Sequence, residues 1–213
     1  MQMQMKRASI TPFKRAVPAA ILLALTTCGV SDDQRSPSGG SVVPKPVRKP
    51  PPGQQNLDAS SLVSFAGPEF QRFVQRDIIK NPANLRRSPT FGPNEVQFLT
   101  ARLDGTDLIL LYPFGGGFCG SGGCGLYVIE QAGDNFHIVG NTSVAMLPVK
   151  QLVTGSPRYP DISVFSRGYG EPGTRTRLRY ENGRYPSNAS IPPAITITDD
   201  DAMPVVLDYP EGW

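Results

Sequence analysis

Hydrophobic and polar residues alternate with a period of two along most of the second half of the chain. The alternating runs lie at 96–103, 108–112, 126–131, 136–140, 146–149, 162–167 and 174–180. Asp104-Gly105 and Asn182-Gly183 stand at breaks in this pattern and are typical of tight hairpin turns. The pattern predicts a mainly β protein of roughly six to eight strands, arranged as an antiparallel meander or a small barrel-like sheet.

One segment before these strands has the period of a helix instead. Its apolar side chains recur at helical spacing and should face the core: Phe70, Phe73, Val74 and Ile78. Pro68 suits the first turn of a helix, and Asn81-Pro82 should end it, because the residue before a proline disfavours helical geometry. We therefore expect one short N-terminal helix packed on or beside the sheet.

The first residues of the chain show neither pattern. Residues 1–15 contain four basic residues and no acidic one, and an apolar run follows at 16–25. That run is too short to cross a bilayer, which takes about 20 residues. A basic start followed by a short apolar run is typical of a secretory signal.

The end of the apolar run, Leu25-Thr26-Thr27-Cys28, resembles the lipobox of bacterial prolipoproteins. The resemblance implies that residues 1–27 are a signal peptide, and that Cys28 carries the lipid, palmitate included, that tethers the mature protein to a membrane. Several acyl chains anchor a protein firmly, since each buried methylene contributes about 0.8 kcal/mol. Gly29 follows the cysteine, and by the same resemblance this favours the outer membrane, facing the periplasm, over the inner membrane.

Charge and composition divide the rest of the chain. The formal net charge of +3 becomes −1 without the four basic residues of the signal, so a pI near 8.8 is no sign of nucleic-acid binding. Residues 28–57 are rich in proline, which predicts a semi-extended linker. We expect the β-rich domain at 58–189 and an acidic C-terminal tail at 190–213, where apolar residues at 195–197 and 205–207 could add a strand.

The most unusual stretch is residues 114–127, the glycine–cysteine loop, which contains Cys119 and Cys124. If Cys28 carries lipid, these two cysteines remain, and in an oxidising compartment they should pair. The bridge would turn a floppy, glycine-rich segment into a stiff connection between two strands. The Cys-Gly-Ser-Gly-Gly-Cys pattern resembles a segment of uncharacterised proteobacterial periplasmic proteins, over roughly residues 105–185, and this implies a structural disulfide and no known activity.

Catalytic and metal-binding interpretations of this loop find little support. A glycine-rich phosphate site needs a helix after the loop, and here a strand is predicted. A cysteine–histidine dyad would need His137, the only histidine, which lies on a predicted strand. A zinc site takes about four ligands, more than one histidine and two paired thiols supply. We expect no catalytic residue, metal or cofactor, and an enzyme with an unrecognised site stays an alternative.

Two further groups of residues are candidates for binding. Ser121 and Tyr127 resemble part of the Ser-Gly-rich loop of bacterial lysozyme inhibitors, small β-barrels that are often lipoproteins, and this makes them a candidate partner loop. Arg175, Arg177 and Arg179 alternate along a predicted strand, so their guanidinium groups should share one face and form a candidate anion-binding stripe. The alternative is an ordinary solvated strand face, neutralised by the acidic tail.

The sequence thus predicts a membrane-tethered, non-enzymatic lipoprotein whose domain binds a component of the bacterial envelope. A lysozyme inhibitor and an enzyme of unfamiliar type are the alternatives. The expected partners are the membrane, through the lipid anchor, and an envelope component or lysozyme, with no nucleic acid.

Overall fold

Ten strands and one helix make up the part of the chain that the structure, a computed structural model, describes: residues 49–81, 96–115, 117–167, 173–198 and 203–210. The strands are β1 Gln55–Asp58, β2 Gln97–Arg102, β3 Leu108–Phe114, β4 Cys119–Gly120, β5 Gly123–Ala132, β6 Asn135–Gly155, β7 Pro160–Ser166, β8 Thr174–Leu178, β9 Ile195–Ile197 and β10 Val205–Leu207. The helix α1, Leu62–Phe73, continues into a π-helical turn, Val74–Ile79. The predicted signal peptide, Cys28 and most of the predicted linker lie outside the described residues.

The strands form one antiparallel sheet in the order β1-β2-β3-β5-β6-β7-β8-β9, with β4 paired to β5 and β10 paired to β6. Strands that follow each other along the chain are mostly neighbours in the sheet, which confirms the predicted meander. Over the described residues the sheet does not close into a barrel, so the open arrangement is the one found.

Strand β6 belongs to both halves of the sheet, of which the first contains β1–β5 and the second contains β7–β9. Its first part pairs with β5 and its second part with β7, and the change falls near Val144, whose φ of 61° is left-handed. A β-branched side chain rarely adopts this conformation, so the surrounding contacts hold the bend in place. Side chains from both halves, such as Leu110 and Val164, then meet in one buried cluster, which means that the sheet folds over on itself.

The helix covers the other face of the first half of the sheet. The four side chains predicted to face the core are all buried there: Phe70, Phe73, Val74 and Ile78. Gly67, at a φ of 86°, bends α1, and Pro68 then begins the regular turns, as its position in the sequence suggested. The π-helical turn places the adjacent Ile78 and Ile79 on the same buried side.

The chain enters α1 through a turn held by Asp58. Its Oδ1 accepts hydrogen bonds from the hydroxyl of Ser60 at 2.7 Å and from the backbone N–H groups of Ser60 and Ser61 at 2.9 and 2.8 Å. These bonds, the Ser60 hydroxyl foremost, lower the pKa of the Asp58 carboxyl to about 2. The ionised carboxylate therefore stabilises the start of the helix.

The structure shifts several predicted boundaries. The strands predicted at 136–140 and 146–149 are one strand, β6, because it continues through its bend. The segment predicted as an acidic tail contributes β9 and β10 to the sheet, and Leu207 is fully buried in the core between the two halves. Among the described residues, no helix combines the length and the apolar character needed to cross a membrane.

Candidate functional site

The glycine–cysteine loop is a hairpin closed by the predicted disulfide. Cys119 and Cys124 are bonded, with an S–S distance of 2.01 Å, and they face each other across the β4–β5 pair. Gly123, at a φ of 122°, lies so close to β6 that an added Cβ would stand 2.3 Å from the carbonyl oxygen of Ala145. Only glycine fits there, so the loop is held tightly against β6 at this point.

An apolar cavity lies beneath the loop, where two strands part. Strand β3 pairs with β2 as far as Phe114, but it pairs with β5 only as far as Leu111. Beyond that point the loop stands between them and leaves a cavity of about 160 Å³. Its lining includes Leu99, Tyr112, Phe114, Gly120, Ser121, Gly123, Cys124, Met146, Leu147, Tyr209 and Pro210.

Two phenol groups are the main polar features of this cavity. The hydroxyl of Tyr112 donates a hydrogen bond to the carbonyl oxygen of Ala145 at 3.1 Å. Burial raises the pKa of Tyr112 well above its ordinary value, and it also raises the pKa of Tyr209. Both phenols therefore stay neutral at physiological pH and act as hydrogen-bonding groups.

A polar groove of about 560 Å³ lies against the same loop. Its lining combines residues 117–125 with Ser143, Val144 and Asn188, and four of these residues, Gly120, Ser121, Gly123 and Cys124, also line the apolar cavity. Because glycines have no side chains, the groove presents backbone N–H and C=O groups. Ser143 is fixed by backbone hydrogen bonds with Ser187 and Ala189.

The arrangement is suited to binding. Within the described lining of the two hollows, the side chains carry hydroxyl, amide, thioether and disulfide groups and no carboxylate, imidazole or cationic group. Such a site recognises a ligand by shape, apolar contact and main-chain hydrogen bonds. Over the described residues, no group of three or more histidine, cysteine, aspartate or glutamate side chains could hold a metal ion.

The two residues of the predicted partner loop lie in different places. Ser121 is exposed and lines both hollows. Tyr127 is only 3% exposed and packs in the core beneath the helix. The structure therefore keeps Ser121 at the candidate site and removes Tyr127 from the protein surface.

Arg175 and Arg177 of the arginine stripe lie on the same side of β8, and Arg179 directly follows the last residue of that strand. Thr176 and Leu178, which alternate with the arginines, are buried, Leu178 in the core between the two halves of the sheet. Arg175 is also buried: its guanidinium carbon lies 4.4 Å from the centre of the Phe165 ring, and its Nη1 donates to the carbonyl oxygen of Pro148 at 2.7 Å.

An internal carboxylate, Asp161, faces the other two arginines. Its side chain is fully buried, and Oδ2 lies 3.0 Å from Nη2 of Arg179 and 3.8 Å from Nε of Arg177. Thr154 donates a further hydrogen bond at 2.8 Å. Internal contacts thus engage all three arginines, and binding of an external anion stays a prediction. The sequence analysis missed Asp161, whose only signal is an acidic residue inside an apolar run.

His137 lies away from the glycine–cysteine loop. It is exposed and stands opposite Glu130 in the β5–β6 register. Glu130 already accepts hydrogen bonds from Arg158 at 2.6 Å and from Tyr159 at 2.8 Å, and the bond from Arg158 is the main cause of its lowered pKa. The histidine and the disulfide therefore do not form a common site in either hollow.

Comparison with known proteins assigns neither a family nor a function to the chain. No protein-family model, no curated protein sequence and no solved structure matches the chain at a significant level.

Proposed function

We propose that this chain is a bacterial lipoprotein, anchored in the outer membrane through Cys28, whose domain binds an envelope component without catalysing a reaction. The observation that carries the proposal is the N-terminal pattern: a basic start, a short apolar run and Leu25-Thr26-Thr27-Cys28. Acylation of one cysteine would tether the domain without a membrane-spanning helix.

The disulfide supports export. Cys119 is exposed and Cys124 is only half-buried, so the bridge is open to cellular reductants. Bridges of this kind persist in the periplasm and are rare in the reducing cytosol. The same loop supports a binding role, because it lines both an apolar cavity and a polar groove. The described side chains that line these two hollows include no carboxylate, imidazole or cationic group.

Metabolic labelling tests the anchor. Cells that produce the chain are grown with an alkyne analogue of palmitate, and the protein is purified and coupled to a dye. We expect the wild-type chain to carry the label and to fractionate with the outer membrane. Cys28→Ser should lose both properties. The matched control, Cys119→Ser with Cys124→Ser, should keep both. Equal labelling of the wild type and of Cys28→Ser would refute the anchor.

The lysozyme-inhibitor hypothesis receives less support from the geometry. Of its two candidate residues, only Ser121 reaches the surface, since Tyr127 is buried beneath the helix. A turbidity assay with c-type and g-type lysozymes separates this hypothesis from the first, because an inhibitor slows cell-wall lysis at stoichiometric concentrations and an unrelated binding protein does not.

A further inference from the structure

We propose that the solvent-facing side of the helix and its π-helical turn, which presents Arg72, Arg76 and Lys80, docks on the anionic headgroups of a lipid bilayer. We call these three residues the cationic helix face. The inference deepens the proposed function and rests on it, because the expected tether at Cys28 is what brings a bilayer within reach. It adds that the domain itself contacts the bilayer, through its charge.

The fold turns the cationic helix face outward. Phe73, Val74 and Ile78 bury the opposite side of the helix against the sheet. The three cations follow one another at intervals of four residues, which is the spacing of neighbours along one side of a helix, and all three are exposed. Packing of the apolar side therefore fixes where the charges point.

An open hollow of about 520 Å³ lies among these side chains. Its described lining consists of Gln71, Arg72, Gln75, Arg76 and Lys80, so it contains three cations, two amides and no carboxylate. Guanidinium and ammonium groups donate hydrogen bonds and accept none. The phosphate oxygens of a lipid headgroup accept hydrogen bonds and carry negative charge, so they match the hollow in both respects.

Two carboxylates beside the hollow do not cancel its charge. Glu69 pairs with Arg72, and Asp77 pairs with Arg76, which leaves three cations facing two acids. Exposed ion pairs of this kind are weak, because water screens them. The bonds to the carboxylates also use only Nη2 of Arg72 and only Nε and Nη2 of Arg76, so further N–H groups remain for a phosphate.

The arginine stripe is less accessible to a bilayer than this face. The side chains of Arg177 and Arg179 are 24% and 39% exposed, and both lie beside the buried carboxylate of Asp161. The side chains of Arg72 and Arg76 are 69% and 75% exposed. A bilayer surface reaches only groups that project from the domain, so the cationic helix face is the better contact.

The distribution of charge along the chain favours the same contact. Residues 28–95, which contain the helix, hold nine basic and six acidic residues, whereas residues 190–213 hold five acidic residues and no basic one. The tether does not choose a face by itself, since the roughly 27 residues between Cys28 and β1 can span as much as ~90 Å. Attraction to anionic headgroups therefore selects the orientation.

Photocrosslinking in nanodiscs tests the proposal with the full chain in its membrane-bound form. The chain is purified from cells in detergent and inserted into nanodiscs of phosphatidylcholine, with or without phosphatidylglycerol. Both kinds of nanodisc contain the same trace of a phospholipid with a photoreactive diazirine on its headgroup. After illumination, mass spectrometry identifies the residues that are crosslinked to lipid.

We expect crosslinks within residues 71–80 in the nanodiscs that contain phosphatidylglycerol, and about tenfold fewer or less in pure phosphatidylcholine. A triple variant that neutralises the cationic helix face should lose them to the same extent, because each basic residue near an anionic surface adds to the attraction. The changes in this variant are Arg72→Gln, Arg76→Gln and Lys80→Gln.

A matched control variant removes the same number of positive charges elsewhere. Its changes fall on exposed arginines outside the hollow, namely Arg158→Gln, Arg167→Gln and Arg184→Gln. This variant should keep the crosslinks within residues 71–80. Added sodium chloride should weaken them, because salt screens the attraction, and inorganic phosphate at the same ionic strength should weaken them no further.

Three results would overturn the proposal: crosslinks spread evenly over the exposed residues, crosslinks that do not depend on phosphatidylglycerol, or equal losses in the two triple variants. A specific effect of inorganic phosphate would also overturn it, since the ligand would then be a soluble anion. The first two comparisons need no variant, so they stand even if a variant misfolds. An acylated chain without helix crosslinks refutes only the docking, and helix crosslinks from a chain without acyl label refute only the tether.

Discussion

Removal of the Cys119–Cys124 bridge should destabilise the domain by a modest and calculable amount. The disulfide closes a ring of only six residues, because the two cysteines are separated by five positions. In the chain-entropy model, cross-linking a ring of this size removes enough freedom from the unfolded chain to contribute about 2 kcal/mol. For a domain of this size that corresponds to a fall in melting temperature of about 4–8 °C.

Urea unfolding at pH 7 measures this difference. The double variant Cys119→Ser with Cys124→Ser should show a lower transition midpoint and a nearly unchanged m value, because a ring this short conceals little surface in the unfolded chain. The wild type treated with a reductant should coincide with the variant, and the variant itself should not respond to the reductant. A loss of stability below about 0.5 kcal/mol would mean that removal of the bridge frees the folded loop as much as it frees the unfolded chain. A loss above about 4 kcal/mol would mean that the bridge holds together more than its own ring, and either result refutes the entropic account.

Three further predictions concern packing, the buried carboxylate and pH, and urea unfolding measures each of them. Gly140→Ala should lower the free energy of unfolding by about 1–3 kcal/mol, because the added Cβ would stand 2.9 Å from Cβ of Tyr185. In the control Gly120→Ala the added Cβ meets no atom within 4 Å, so the free energy of unfolding should change by less than about 1 kcal/mol. Asp161→Ala should lower the free energy of unfolding by about 3 kcal/mol, a value at the low end for a broken buried ion pair. The loss is at the low end because the guanidinium groups that remain reach solvent. A loss near zero would contradict the pairing. The pKa of the Asp58 carboxyl is lowered to about 2 from an ordinary 3.8. The ionised carboxylate therefore contributes fully to the stability of the domain above about pH 4, and this contribution disappears as the pH falls towards 2. The stability gap between the wild type and Asp58→Asn should therefore close over that interval, and a constant gap would contradict it.

The parts of the fold that were predictable are those that local periodicity controls. A strand with one buried face must alternate, and a helix with one buried face must repeat every three to four residues, so both patterns are visible in the sequence. The four helix residues from Phe70 to Ile78 are buried as predicted. The continuity of β6 was not predictable in this way, because its bend at Val144 depends on contacts made across the sheet.

The candidate site was predictable only in part. Pairing of Cys119 with Cys124 followed from the number of cysteines and an expected oxidising compartment. The cavity depends on a difference in register, since β3 stays with β2 to Phe114 but leaves β5 after Leu111, and no local pattern encodes such a difference. Tyr127 was misleading for a similar reason: it adjoins the loop in sequence, but the alternation of the strand turns its side chain under the helix.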